Sequence, residues 1–397
     1  MTKTALEGLR VLDLSTLFSA PQIGAMLGDF GADVVQLELP AGDPLRRLGL
    51  SRAGRSLPFA MVGRNKRCIT LDLDLPEGRE LFARLVDHAD VLVENWPQST
   101  LERWGATWPE LSRRNPRLVV VSVSGFGRTG PYAERSGAGT LAEAFAGLTH
   151  MTGEAEGPPM LTSLPVGDIL TAVVGVVGTL AACYHRDARG GQGQHVDVSM
   201  YEPVLELLSG AFAAWDGVGP PPMRNGSRVA GGVPRNVYRA GDDRWLVVSA
   251  TTDAQAGRVL GLLGRNTAED RERFGASEAR IAHADELDTL VAEWIVARSR
   301  QEALEAFAEQ RVPAGPVNDL ADLLADPHVR ARGSLQVVDD EALGAVTLVG
   351  PAPRLEGTPG RIRHLGPALG AHNAEVYADW LSLDEAGLAD LRARGVV

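Results

Sequence analysis

The segment Leu164-Pro165-Val166-Gly167-Asp168 delivers one carboxylate to the start of an almost wholly apolar run, 169–184. That run holds Gly175, Gly178, Ala181 and Ala182 among valines and leucines, with Thr171 and Thr179 as its main polar members. The pattern predicts a helix buried on nearly every side. It falls short of the roughly 20 apolar residues a bilayer span needs, so it reads as core. A carboxylate at its N-terminus meets free backbone N–H groups and the positive end of the helix dipole, which favour the ionised form. An ionised, partly desolvated aspartate is a candidate nucleophile. Capping alone also accounts for Asp168, because aspartate is a favoured N-cap residue.

Other constellations are weaker. A strand-helix-strand pattern ending at Glu38 mimics a dinucleotide-binding unit, whose acidic residue holds ribose. The stretch after Leu14 is Ser15-Thr16-Leu17-Phe18-Ser19-Ala20-Pro21, with no G-x-G-x-x-G, which argues against a nicotinamide or flavin site. Asn65-Lys66-Arg67 precedes a strand and reads either as a solvated turn or as a phosphate clamp. Asn95-Trp96-Pro97 follows the end of a strand, the edge where α/β sheets place ligands, and Arg103 stands about two turns on. Arg46, Arg47, Arg52 and Arg55 read either as a source of positive potential or, more simply, as a mobile exposed loop. There is no nucleophile elbow, Walker loop or H-E-x-x-H helix, and the 8 histidines are scattered without ligand spacing, so no metal site is expected.

The elements that must position these groups come from a chain of 397 residues with 44% hydrophobic content, ample for two domains or one elaborate one. A formal charge of −12 argues against nonspecific nucleic-acid binding, and an anionic ligand would need a local basic site. The N-terminal stretch has no apolar h-region, which makes a cytoplasmic location the expectation. Cys68 and Cys183 form no paired motif and are expected as buried thiols. Strand patterns at 10–14, 33–39, 68–73, 91–94, 118–124 and 195–200 alternate with helix patterns at 22–30, 76–88 and after Asp168. Such alternation predicts an α/β fold, a parallel sheet with helices on its faces. A helix over 202–215 precedes a glycine- and proline-rich break at 217–222, the expected linker to a second module. That module contains a strand at 245–249 and helices at 285–297 and 301–310; Asp326-Pro327 marks the next boundary, and a last helix covers 384–394.

Taken together, Gly8-Leu9-Arg10-Val11-Leu12-Asp13, Gly28-Asp29-Phe30-Gly31-Ala32-Asp33-Val34-Val35, Asn65-Lys66-Arg67, Ala89-Asp90-Val91-Leu92-Val93-Glu94-Asn95, Gly193-Gln194-His195-Val196-Asp197-Val198-Ser199-Met200 and Val312-Pro313-Ala314-Gly315-Pro316-Val317 resemble, nearly end to end, the class III coenzyme A transferases. That group includes formyl-CoA transferase, carnitine CoA-transferase and the 2-methylacyl-CoA racemases. The resemblance implies that Asp168 is the nucleophile, forming an aspartyl-acyl anhydride and then an aspartyl-CoA thioester as CoA moves from an acyl-CoA donor to a carboxylic acid. It implies a CoA site along Phe18, Ser19, Asn65, Lys66, Arg67, Leu71, Asp72, Leu73, Asp74, Asn95, Trp96, Pro97, Arg103, Ser124, Gly125, Phe126 and Gly127, with Gly231 and Gly232 in a water-excluding lid or, on local pattern alone, a hairpin turn. It further implies a discontinuous Rossmann-like large domain, 1–216 and 327–397, a smaller α+β domain, 217–326, and an interlocked homodimer without nucleic-acid or membrane partners.

Three positions depart from the family pattern. Phe18 stands where formyl-CoA transferases use glutamine, Leu39 where an arginine would help hold the nucleotide, and the small residues Gly137-Ala138-Gly139 where the racemase branch carries a histidine and an aspartate. An acyl-CoA racemase, a non-catalytic acyl-CoA-binding protein and a dehydrogenase are the competing functions, in that order.

Overall fold

The computed structural model describes residues 4–215, 223–229 and 231–397, so the expected linker at 217–222 lies outside the described residues. Two compact units emerge: Met1–Thr149, Leu161–Gly219 and Ala331–Val397 form the larger, and His150–Met160 with Pro220–Arg330 the smaller.

The larger unit is built on six strands: β1 (Arg10–Asp13), β2 (Asp33–Glu38), β3 (Lys66–Thr70), β4 (Val91–Glu94), β5 (Val119–Ser124) and β6 (His195–Ser199). Every pairing is parallel, with Leu12 opposite both Val35 and Leu92, and Val121 opposite both Val93 and Val196. The order is β3-β2-β1-β4-β5-β6. This is the doubly wound order, whose direction reverses between β1 and β4 and leaves a ligand crevice outside the carboxyl ends of those strands. Runs such as Val119-Val120-Val121 are β-branched and apolar at successive positions because both faces of a parallel sheet are covered.

On one face, Val11, Val34, Val93 and Val121 pack against Ile23 and Leu27 of α1 (Ser19–Asp29). Further along the same layer lie Ala172, Ala182 and Cys183 of α5 (Val166–Ala188). On the other face, Leu12, Val35 and Leu92 meet Leu81, Phe82 and Leu85 of α2 (Pro76–Asp87) and Leu101 and Trp104 of α3 (Gln98–Trp104). Val376, Tyr377 and Trp380 of a helix at Asn373–Leu381 complete that layer. Full burial of each such side chain contributes about 1.5–3 kcal/mol. A short helix α4 (Gly139–Phe145) packs beside α5. Gly175 lets α1 and α5 approach closely, since a Cβ there would stand 2.4 Å from Ile23 Cδ1.

The larger unit corrects four expectations. The helix following Asp168 is not buried all round. Thr171, Ala172, Gly175, Thr179, Ala182 and Cys183 are buried, but Val173, Val174, Val177, Leu180 and Tyr184 form an exposed apolar stripe, with Val177 62% exposed. The helix spans 23 residues, long and apolar enough to cross a membrane, yet its buried side is packed into the sheet layer. The helix expected over 202–215 is two, Glu202–Glu206 and Ser209–Trp215. The arginines after β2 are not a free loop. Arg46 pairs with Glu38, Arg55 pairs with Asp340, and Arg52 donates to the Leu343 and Ala345 carbonyls. Finally, the Asn373–Leu381 helix and the hairpin Leu335–Asp340/Gly344–Val349 have no counterpart in the sequence expectations.

The smaller unit holds an antiparallel sheet in the order Ala314–Pro316, Trp245–Ser249, Arg235–Arg239. Leu246 and Val248 pack with Leu287, Val291 and Ile295 of the helix Ala284–Val296 and Phe307 of the helix Arg300–Glu309. Gly231 takes a φ of 88°, and Gly232 packs on Thr251, where a Cβ would come within 2.7 Å.

Candidate active site

Helices that follow strands of a parallel sheet begin at its carboxyl edge, and this brings the first turns of α1 and α5 together. Asp168 is the third residue of α5, not its cap. The cap position is Pro165, which supplies no side-chain acceptor. The Ser19 side chain, in the first turn of α1, hydrogen-bonds to the Asp168 carboxylate. Against its other side lies Gly139, the first residue of α4, so close that a Cβ would fall 2.2 Å from Asp168 Oδ2. Only a residue without a side chain leaves the carboxylate where it is.

Asp168 is half-buried, and its pKa is raised. Burial is the largest cause and repulsion from the Glu143 carboxylate the second, while the Ser19 hydrogen bond opposes both. The helix terminus favours the anion, and burial together with the neighbouring acid acts against it. An oxygen anion held at a cost is more basic than a solvated one, and a more basic carboxylate is a better acyl acceptor.

Beside this pair opens a cleft of about 180 Å³, lined by Ser19, Asn95, Trp96, Pro97, Ser124, Gly125 and Gly137 among others. It lies at the β1/β4 reversal. Two amide hydrogen bonds, Thr16 N–H to Asn95 Oδ1 and Asn95 Nδ2 to the Thr16 carbonyl, both 2.9 Å, tie the loop after β1 to the loop after β4. Trp96 Nε1 donates to the Leu14 carbonyl at 2.7 Å. Arg128 holds both oxygens of the fully buried Glu94 and the Trp96 carbonyl. Gly125 and Gly137 touch backbone to backbone, since a Cβ on Gly125 would stand 2.5 Å from Gly137 Cα. The result is a slot with glycine in one wall and, in another, Ser19, the hydrogen-bond partner of Asp168.

Of the residues singled out from the sequence, the structure thus gathers Ser19, Asn95, Trp96, Pro97, Ser124 and Gly125 around one cleft next to Asp168. Phe18 packs into a small core with Leu45, Phe59, Val62 and Cys68. Phe126 joins an aromatic cluster with Tyr132, Phe145 and Tyr201, and Gly127 turns the chain at φ 86°. Arg103 is exposed and donates to Asp74, whose other partner is Trp104 Nε1. It lines a separate groove of about 440 Å³ together with Arg79 and Arg114. Leu71 and Leu73 are fully buried, and the Asp72 N–H donates to the Val396 carbonyl.

The clamp reading of Asn65-Lys66-Arg67 is not what the structure places there. Lys66 is fully buried, its ammonium 2.8 Å from Asp13 and 2.7 Å from the Pro21 carbonyl. Arg67 is spent on Asp33, the first residue of β2, and on Glu375 and Asp379. The Asn65 side chain bonds Asp29 and the Arg361 carbonyl. Each cation meets a carboxylate within the fold, and a buried pair of this kind specifies geometry more than it adds stability. Glu38 is likewise buried and committed to Arg46 and the Asp43 N–H rather than open to a ribose.

Sequence reasoning missed three groups. Glu143 and Gly139 gave no local signal beyond the small-residue run at 137–139. Asp43 is the third. Buried, it accepts from the N–H of Leu17, a residue held at φ 68° just before Ser19, and from the N–H of Leu45. Burial, with Glu38 adding repulsion, pushes Asp43 up to about 6. Because the folded value lies above the ordinary 3.8, the folded state holds this proton more tightly, and that contribution is full below the ordinary value and lost as pH rises through about 6. Asp43→Asn, which keeps an acceptor for Leu17, is expected to remove that dependence. Between pH 4 and 7 the melting temperature of the native chain should fall relative to the variant's; parallel curves would refute the assignment.

The family model for CoA-transferase family III matches residues 6–373. The chain is 39% identical over 394 residues to succinyl-CoA–D-citramalate CoA-transferase of Chloroflexus aurantiacus, covering 99% of this chain and 98% of that one. It is 38% identical to the beta subunit of succinyl-CoA–L-malate CoA-transferase of the same organism, covering 100% and 99%. Among solved structures, a CAIB/BAIF family protein from Brucella suis superposes with a TM-score of 0.83 at 32% identity, covering 95% of this chain and 99% of that one.

Proposed function

The chain belongs to CoA-transferase family III and is a CoA-transferase acting on acyl-CoA thioesters, and on that premise we propose that Asp168 is the group through which CoA passes to a carboxylic acid. The observation that carries this reading is the Asp168 carboxylate itself: half-buried, basic, hydrogen-bonded by Ser19, and set beside a glycine-walled cleft at the sheet's reversal point.

An Asp168 oxygen attacks the thioester carbonyl carbon of the donor, the C–S bond breaks, and CoA leaves as the thiolate with a mixed aspartyl-acyl anhydride behind it. The thiolate then attacks the aspartyl carbonyl and expels the donor acid as its carboxylate, leaving an aspartyl-CoA thioester. An acceptor carboxylate attacks that thioester and the same two steps run in reverse, which restores free Asp168 and yields the new acyl-CoA. Each step conserves charge and needs no outside proton. Anhydrides hydrolyse readily, so water must stay out while they exist.

We assign the thioester arm of CoA to the cleft formed by Asn95, Trp96, Pro97, Ser124 and Gly125, and a phosphate to Arg103, whose guanidinium shares its groove with Arg79 and Arg114. Two relatives are named for succinyl-CoA, so short dicarboxylic acyl groups are the proposed substrates. A second copy of the chain is our candidate for covering the exposed stripe Val173, Val177, Leu180 and Tyr184, because an apolar strip of that kind on a helix marks an interaction surface.

The test is incubation with succinyl-CoA and a panel of mono- and dicarboxylic acids, with mass analysis of the product thioesters and of the peptide containing Asp168. Transfer together with a hydroxylamine-sensitive adduct on that peptide is the expected result. Exchange of the substrate's Cα proton with deuterated solvent, without transfer, would instead indicate racemase chemistry.

A further inference from the structure

We propose that Glu143 is the positioning residue for Asp168: it fixes the first turn of α5, and with it the direction of the nucleophilic oxygen, while holding a second negative charge beside that oxygen. This rests on the reading of Asp168 as the acyl-accepting carboxylate.

Glu143 projects from α4 and is fully buried. Its Oε1 accepts from the Gly167 N–H at 2.9 Å, and its Oε2 lies 2.6 Å from the Thr162 hydroxyl. The first N–H groups of a helix have no partner within the helix. In α5 the cap residue is Pro165, with no side chain able to accept, so a carboxylate from another helix takes that role. Gly167 is wedged at the same junction, where a Cβ would meet the Gly139 carbonyl at 2.9 Å and Glu143 Cγ at 3.3 Å. Glu143, from the second turn of α4, therefore clamps α4 to the first turn of α5, one residue before Asp168.

The clamp has an electrostatic side. The groups facing the Asp168 carboxylate are the Ser19 hydroxyl from α1 and Glu143 from α4, with Gly139 contributing only backbone. A buried charge is screened less than an exposed one, and the repulsion of Glu143 reaches Asp168. It acts in the same direction as burial, toward a more basic and more nucleophilic oxygen. Neutral residues would satisfy Gly167 N–H equally well; a carboxylate adds the charge.

The test compares Glu143→Gln with Glu143→Asp. The glutamine keeps an acceptor for Gly167 and a donor for Thr162 but removes the charge; the aspartate keeps the charge but shortens the reach to Gly167. The expected result for the glutamine variant is an acid limb of kcat/KM displaced to lower pH and a kcat reduced roughly 3–10-fold, with unchanged KM for the acyl-CoA. The aspartate variant is expected to keep the native acid limb with a lower kcat. A glutamine variant with the native limb and native kcat makes Glu143 a structural cap only and overturns the proposal. If the glutamine variant does not fold, an aspartate variant whose acid limb moves downward overturns it alone. Should Asp168→Asn still transfer CoA, the reading of Asp168 fails first, and that outcome is separate from any result at Glu143.

Discussion

Asp168→Asn is expected to abolish CoA transfer, with kcat lower by about 10⁴-fold or more, as losses of a covalent nucleophile usually are. The amide is nearly isosteric and keeps a partner for Ser19, so the cleft should survive. It cannot form an anhydride, and no hydroxylamine-sensitive adduct should appear on the peptide. Stability should move the other way. The folded pKa of Asp168 is raised, first by burial and then by Glu143, so the charged form is disfavoured by folding. Its contribution is full below the ordinary value of 3.8 and is lost as pH rises through the folded value. The asparagine variant should therefore melt higher than the native chain at pH 7.5, by a margin that shrinks as pH approaches 4. An active variant would end the assignment; an inactive variant that melts lower at pH 7.5 would remove the electrostatic account while leaving the chemical one.

Gly139→Ala is expected to cost about 10²-fold in kcat with the fold intact, the scale of loss that follows when a reacting group is displaced by about 1 Å. The added methyl would stand 2.2 Å from Asp168 Oδ2 and 2.7 Å from its Cγ. Either the carboxylate rotates away from Ser19 or α4 backs off from α5, and both misdirect the attacking oxygen. Helix propensity favours alanine over glycine by up to about 1 kcal/mol, so a loss of activity would not reflect a weakened helix. The Gly125–Gly137 contact in the cleft is untouched, so KM for the acyl-CoA should change little. Gly257→Ala is the control, because a Cβ there meets nothing within 4 Å. Steady-state kinetics with thermal melts decide the matter: a native kcat in Gly139→Ala would show that the carboxylate has room to spare and that its contact with the glycine backbone plays no part in aiming it.

The departures at Phe18 and Gly137-Ala138-Gly139 acquire a physical sense from these contacts. Phe18 turns into the small core around Leu45 and Phe59, so the loop after β1 presents Ser19 to Asp168. The segment Gly137-Ala138-Gly139 is small where the resemblance implies a histidine and an aspartate in the racemase branch, and a side chain at 139 would collide with Asp168. A proton relay across the substrate carbon therefore lacks a second base at this position.

Much of this protein was legible along the chain. The six strands follow from short β-branched runs alternating with amphipathic segments, and their ends differ from expectation by at most one residue except at β3, expected over 68–73 and found at Lys66–Thr70. Asp168 could be singled out because a carboxylate opens a small-residue apolar helix, a pattern capping also explains, and because the motifs along the chain belong to a recognisable family. Such features depend on periodicity and order, which are local properties of sequence. What depended on tertiary structure was which groups meet. Lys66 looked like a free cation and is sealed against Asp13, 53 residues away. Glu143 carried no signal in the sequence and is buried against the N–H of Gly167, 24 residues on. The local expectation for Asp168, a helix dipole favouring the anion, leaves out desolvation and the neighbouring Glu143, which act the other way and are set by packing. The apolar pattern of α5 likewise did not reveal that one side stays open, since a hydrophobic side chain has the same identity whether its cover comes from its own chain or from another surface.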